Sequence, residues 1–225
     1  MVSTWVVVFA MVTGQLAAPS LGPGVEDIDV GRWLDALGVA AGAGTTHLRE
    51  RLIVVGRDGR VVRIVEGHAG RVDIGVDLVQ LMARPDSALT LVHNHPAGNG
   101  LSPNDLEHLE YPGVRAIVAI GHDGSIYKAA RGSRFPTDPL VGTGKKGEVY
   151  GTAHRRALRV LAFERSPAGR AAFDAHMYHV LSAALESAGV LHYQAQLGEA
   201  RQATFDENRP FLTRVHNAAR AGAGR

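Results

Sequence analysis

Cysteine is absent from the 225-residue chain. That excludes disulfides, thiolate nucleophiles and cysteine-based zinc sites, so any metal must be held by His, Asp or Glu. A dominant charge is also missing. The 24 Lys+Arg and 22 Asp+Glu leave a formal net charge of +2, which creates no strong field for nucleic acid or a membrane surface. The one local imbalance is in residues 151–225, with 10 Arg, no Lys and 6 acids, the pattern of a solvated helical face. Long apolar runs are scarce: Trp5–Val12 falls well short of the roughly 20 residues needed to cross a bilayer. No Lys or Arg precedes Arg32, so the positive start of a signal peptide is missing. The segment is therefore read as a buried strand and the chain as cytoplasmic; secretion would follow only if residues 1–20 acted as a signal. Two metal-hydrolase signatures are absent as well, the helical His-Glu-x-x-His and the Pro-Cys-x-x-Cys of zinc deaminases.

What is present has a regular order. Gly and Pro cluster in "APSLGPG" (18–24), a linker, and Val30, Trp33, Leu34 and Leu37 then recur at helical spacing. "RLIVVGRDGRVVRIVEG" places β-branched runs on either side of Asp58-Gly59, a hairpin turn signal. "GVDLVQLMARP" (75–85) reads as a helix with a proline stop, and "SALTLV" (87–92) as a short strand ending at His93. "VRAIVAIGHDGSIYKAA" is a second hairpin. Strand, strand, helix, strand, short helix, strand, strand is an α/β layered domain over 45–132. Residues 1–44 form an N-terminal segment and 133–150 a linker or lid. Residues 151–225 read as helices over 152–164, around the stripe Phe173, Met177, Val180, Leu181, Ala184 and Leu185 with a stop at Gly189, and within 196–220.

The chemistry is concentrated in "LTLVHNHPAGNGLSPNDLEHL" (89–109). His93 and His95, at i and i+2 on a strand end, share one face and can grip one metal ion. Pro96 ends the ladder, and a Gly-bearing loop lets the chain fold back to Asp105. Two imidazoles and one carboxylate suit Zn²⁺ with one position left open. A structural reading stands beside this one: Ser102 as N-cap, Pro103 at the first helical position and Asp105 as its capping-box partner. That accounts for Ser102 and Asp105 but not for His93, His95 or Pro96.

"HNHP" after an apolar strand, followed by "SPND" opening a helix, resembles the MPN/JAMM (JAB-type) zinc metalloprotease superfamily, with the bacterial RadC-like branch closest in wording. The resemblance covers roughly 46–132. It implies a cytidine-deaminase-like mixed sheet sandwiched by helices, here with an α-helical C-terminal extension. It also implies a zinc-dependent peptidase or isopeptidase, with His93, His95 and Asp105 as metal ligands and Ser102 steadying the oxyanion. The superfamily's upstream glutamate is matched to Glu66, which would take a proton from the attacking water and deliver it to the leaving amine. Glu50 is set aside because it precedes the first strand. Two features depart from the family: six residues rather than seven separate His95 from Ser102, and the helix after Asp105 is short. The implied partner is a peptide or ubiquitin-like protein. A RadC-like role with DNA and a non-catalytic protein-binding scaffold are the alternatives. Asn94, on the opposite face from the histidines, is read as shaping the loop. His68 and His122 are read as exposed turn residues, and His176 and His179, on a helix with no third ligand, as ordinary surface or groove residues.

Overall fold

The computed structural model describes Trp33, Leu37 and residues 49–68, 71–136 and 148–224. The expectations for Trp5–Val12, the 18–24 linker, Val30, Leu34 and most of the lid lie outside these residues. The protein is a mixed α/β structure. Its strands are β1 (Arg51–Val55), β2 (Val61–Glu66), β3 (Leu89–His95), β4 (Val114–Gly121), β5 (Ile126–Arg131) and β6 (Leu191–Gln196). Six helices accompany them among the described residues: α1 (Val76–Met82), α2 (Pro103–Glu107), α3 (Glu148–Ala162), α4 (Pro167–Ser187), α5 (Glu199–Glu207) and α6 (Arg209–Ala223).

The strands form one sheet in the order β2-β1-β3-β4-β5-β6, parallel only between β3 and β4. Alternation sorts the side chains to its two faces. Leu52, Val54, Leu89, Leu91, Ile117, Tyr127 and Leu191 point to one face and pack with α1, α4 and α6 in the main core. Ile53, Val55, Val92, Val118 and Ile120 point to the other, where the helical residues Trp33 and Leu37 cover them. The helical spacing read at Trp33 and Leu37 thus seats both against the sheet.

All seven residues of β3 are buried, because strands flank it on both sides and helical side chains cover both faces. A parallel pair needs a crossover, and the chain makes it through the 96–101 loop and α2. The carboxyl end of β3 is therefore also where the amino end of β1 arrives, since β1 and β3 run antiparallel with Leu52 opposite His93. Three features meet there: the end of β3, the start of β1 and the start of α2.

The C-terminal region departs from the helical expectation. "LHYQAQ" is β6, which adds a strand to the sheet by pairing with β5, from Ile126↔Gln196 to Arg131↔Leu191. The alternation that makes it a strand is short, with only Leu191 and Tyr193 buried. The helix expected somewhere in 196–220 is two helices, broken at Asn208 with Pro210 in the first turn of the second. Buried Leu181, Leu185, Phe211 and Leu212 from this region share one cluster with Leu52 and Leu91. Residues 151–224 are thus part of the same core as residues 51–131. Among the described residues, no helix is long and apolar enough to cross a membrane.

Candidate metal centre

The last three residues of β3 set the site. His93 and His95 follow Leu89 and Leu91 onto the main-core face, and both are buried. Their Nε2 atoms are 2.8 Å apart. Asp105 Oδ1 lies 3.2 Å from His93 Nε2, and Asp105 Oδ2 lies 3.4 Å from His95 Nε2. One ligand atom from each of the three residues fits within a 4.8 Å span. Donors bound tetrahedrally to zinc at about 2.0–2.1 Å stand roughly 3.3 Å apart, close to the two His–Asp separations.

Tautomers explain why this arrangement calls for a proton or a metal ion between the two rings. His95 Nδ1 donates to the Asn99 carbonyl at 2.7 Å, so in the neutral ring Nε2 carries the lone pair. That lone pair faces His93 Nε2 and a carboxylate. Either a proton or a metal ion has to sit between them. In the metal-free protein the groups answer with protons. Burial pushes the His95 pKa down, but the Asp105 carboxylate, the Asn99 carbonyl and Glu50 outweigh it and raise the pKa above its ordinary value. Burial also works to raise Asp105, yet His93 and His95 hold it well below the carboxylate range.

The capping of Ser102 and Asp105 is compatible with Asp105 facing the two histidines. Ser102 Oγ accepts from Asp105 N–H at 3.3 Å, and Asp105 Oδ2 accepts from Ser102 N–H at 2.6 Å, a full capping box. The cap fixes the Asp105 side chain with its oxygens turned toward the two histidines. Ser102 itself lines the adjoining cavity.

The six-residue "PAGNGL" connection fits because its glycines let it run close to other backbone. Gly98 has φ +69°, and a Cβ there would fall 2.3 Å from Asp123 Oδ2. A Cβ at Gly100 would meet the His179 backbone nitrogen at 2.8 Å. The loop is braced from outside its own sequence. Tyr127 Oη donates to Gly98 O at 2.9 Å. Arg201, on α5, donates to Ala97 O at 2.9 Å, to Asp123 Oδ2 at 2.6 Å and to the Ala175 carbonyl. No signal in the sequence marked Arg201, because its partners, two carbonyls and the Asp123 carboxylate, stand 104, 26 and 78 positions away.

Glu66 is not brought to this cluster. It is exposed at the end of edge strand β2 and ion-paired with Arg51 at 2.8 Å. The cause is a one-residue irregularity in the hairpin. The register starts as Val55↔Val61 and shifts to Val54↔Arg63, so Glu66 ends opposite Arg51. Without the shift it would stand opposite Glu50. Cross-strand partners share a face, so one bulged residue turns Glu66 to the face away from the histidines.

Glu50 occupies the place instead. It stands two residues before Leu52, which pairs with His93, and lies on the histidine side of the sheet. It lines a cavity of about 870 Å³ together with His93, His95, Ser102 and Asp105. Apolar Leu52, Val72, Ile74, Leu91 and Ile117 form much of the remaining wall. Burial raises the Glu50 pKa against the lowering pull of His95 and His93. Of the other histidines singled out, His68 is exposed and His122 contacts Asn94. His176 is not at the surface as expected but buried against Phe205, because its helix packs into the core, and His179 Nδ1 meets Tyr193 Oη at 3.0 Å.

Two outcomes follow. Arg201→Ala removes one brace of the 96–101 loop and is expected to weaken binding of a divalent metal ion about 10- to 100-fold while the circular dichroism spectrum is retained. Unchanged affinity would mean that the brace does not matter to the site. His95 gives the pH dependence its sign. Its raised folded pKa contributes stability that is complete below about pH 6.5 and is lost as pH rises through the folded value. In metal-free protein, the stability difference between wild type and His95→Gln is expected to shrink across that window, as read by denaturant titration. A difference that grows with pH would contradict the assignment.

No protein-family model matches this chain, and no match was found to a curated protein or to a solved structure.

Proposed function

We propose that this protein is a zinc-dependent amide hydrolase of the JAB/MPN type, with His93, His95 and Asp105 holding the metal and Glu50, in place of Glu66, as general base. The observation that carries the reading is the convergence of two imidazoles, one capped carboxylate and a second, half-buried carboxyl group on one cavity. Borderline-soft imidazole with carboxylate oxygen, and no thiolate, is a donor set that suits zinc.

When bound, such an ion supplies Lewis acidity, polarising a carbonyl and acidifying water. The residues of the chain do the rest. Glu50 takes the proton of the attacking water on a carboxylate oxygen and returns it to the leaving amine. The Ser102 hydroxyl accepts from Asp105 N–H through its oxygen, which leaves its own proton to donate to the developing oxyanion. Asn99, through its carbonyl, keeps the His95 proton on Nδ1. The apolar wall suits a peptide segment whose side chains replace water beside the reacting amide.

Purified protein is expected to carry about one zinc per chain, lost in His93→Ala and in Asp105→Ala. Glu50→Gln is expected to keep zinc and lose about 10²- to 10⁴-fold in hydrolysis of a peptide library followed by mass spectrometry. Glu66→Gln is expected to keep both. Well-folded protein without metal would overturn the proposal, and the reverse pattern of the two glutamates would return the base to Glu66.

A further inference from the structure

We propose that Asn94 is a positioning residue whose side-chain amide fixes Glu50 by hydrogen-bonding the two peptide groups on either side of it. The inference rests on the reading of Glu50 as general base. Asn94 lies between the two histidines in sequence but points to the other face and does not line the cavity. It is nonetheless buried, at 1% exposure. Its Oδ1 accepts from Arg51 N–H at 2.7 Å, and its Nδ2 donates to the Arg49 carbonyl at 3.0 Å. Those are the groups that flank Glu50.

The amide orientation is unambiguous on chemical grounds. Flipping it would set oxygen against a carbonyl and nitrogen against an N–H. The second Nδ2 proton goes to His122 Nε2 at 3.0 Å, which must then accept, so His122 is neutral with its proton on Nδ1. Burial, which lowers the His122 pKa against the pull of Asp123, agrees with that state. All the hydrogen-bonding directions of the amide that the site needs are thus used.

Glu50 precedes the first residue of β1, where the regular ladder to β3 has not begun. On its outer edge the backbone is held by the hairpin: Glu50 N–H donates to His68 O at 3.0 Å, and Gly67 N–H donates to Glu50 O at 2.8 Å. On the β3 edge the Asn94 amide stands in for a peptide unit. The same residue is covalently between His93 and His95, so the base and two metal ligands are tied to one piece of chain. A purely structural strand asparagine would have no need to bracket this particular residue.

The test uses the Co²⁺-loaded protein, whose visible absorption titrates with pH at the metal centre, in wild type, Glu50→Gln, Asn94→Ala and the double variant. Zinc content is measured alongside. Asn94→Ala is expected to keep its metal and to reproduce most of the Glu50→Gln shift in the pH midpoint. The double variant is expected to shift no further than Glu50→Gln alone. Should Asn94→Ala fail to fold, Asn94→Thr, a strand-favouring residue too short to span both peptide groups, takes its place. A wild-type midpoint in the Asn94 variant, or a shift that adds in full to that of Glu50→Gln, would overturn the proposal while leaving Glu50 as base. A wild-type midpoint in Glu50→Gln, or a wild-type protein that takes up no metal, would overturn the reading of the site and this inference with it.

Discussion

Three groups that bind either protons or a cation, His93 Nε2, His95 Nε2 and the Asp105 carboxylate, are held within hydrogen-bonding range in a buried place. A buried carboxylate is costly without compensating charge, and two imidazole nitrogens this close need a proton or a metal ion between them. A positive charge at their centre relieves all three at once. The opposed pKa shifts of His95 and Asp105 are the protonic expression of that demand, and a divalent ion satisfies it with two charges in place of one.

The fold supplies the compression. β3 is buried over its full length, so its two histidines cannot swing out to solvent. The capping box fixes Asp105 by its own backbone, and the loop that brings it back is tied to Tyr127 and to Arg201, which is itself paired with Asp123. The last of these ties comes from α5, beyond β6, so the C-terminal segment completes the site's support as well as the sheet. On the other side, the antiparallel approach of β1 delivers Glu50 to the cavity, with the Asn94 amide at the junction.

The parts legible in the sequence were those governed by local rules. The Asp58-Gly59 turn, the short strand into His93, the Ser102 cap and the i, i+2 histidines all depend on neighbours a few residues apart, and the structure has each of them, with the strand starting at Leu89 rather than Ser87 and running on through His95. The parts that were not legible depend on register and long-range contact. A one-residue bulge between β1 and β2 decides which face Glu66 occupies, and nothing in "VVRIVE" marks it. Glu50 could be recognised only by knowing that β1 lies beside β3. β6 is not marked because only two of its six residues are buried, and Arg201 because all its partners, two carbonyls and the Asp123 carboxylate, are far away in sequence.

The measurement that bears most directly on the centre is zinc K-edge X-ray absorption on the purified protein. The account predicts a first shell of nitrogen and oxygen at about 2.0–2.1 Å with the outer-shell scattering of two imidazoles, and loss of that imidazole scattering in a variant lacking both histidines. Zinc bound with no imidazole signature, or no zinc edge above that of the buffer, would contradict it.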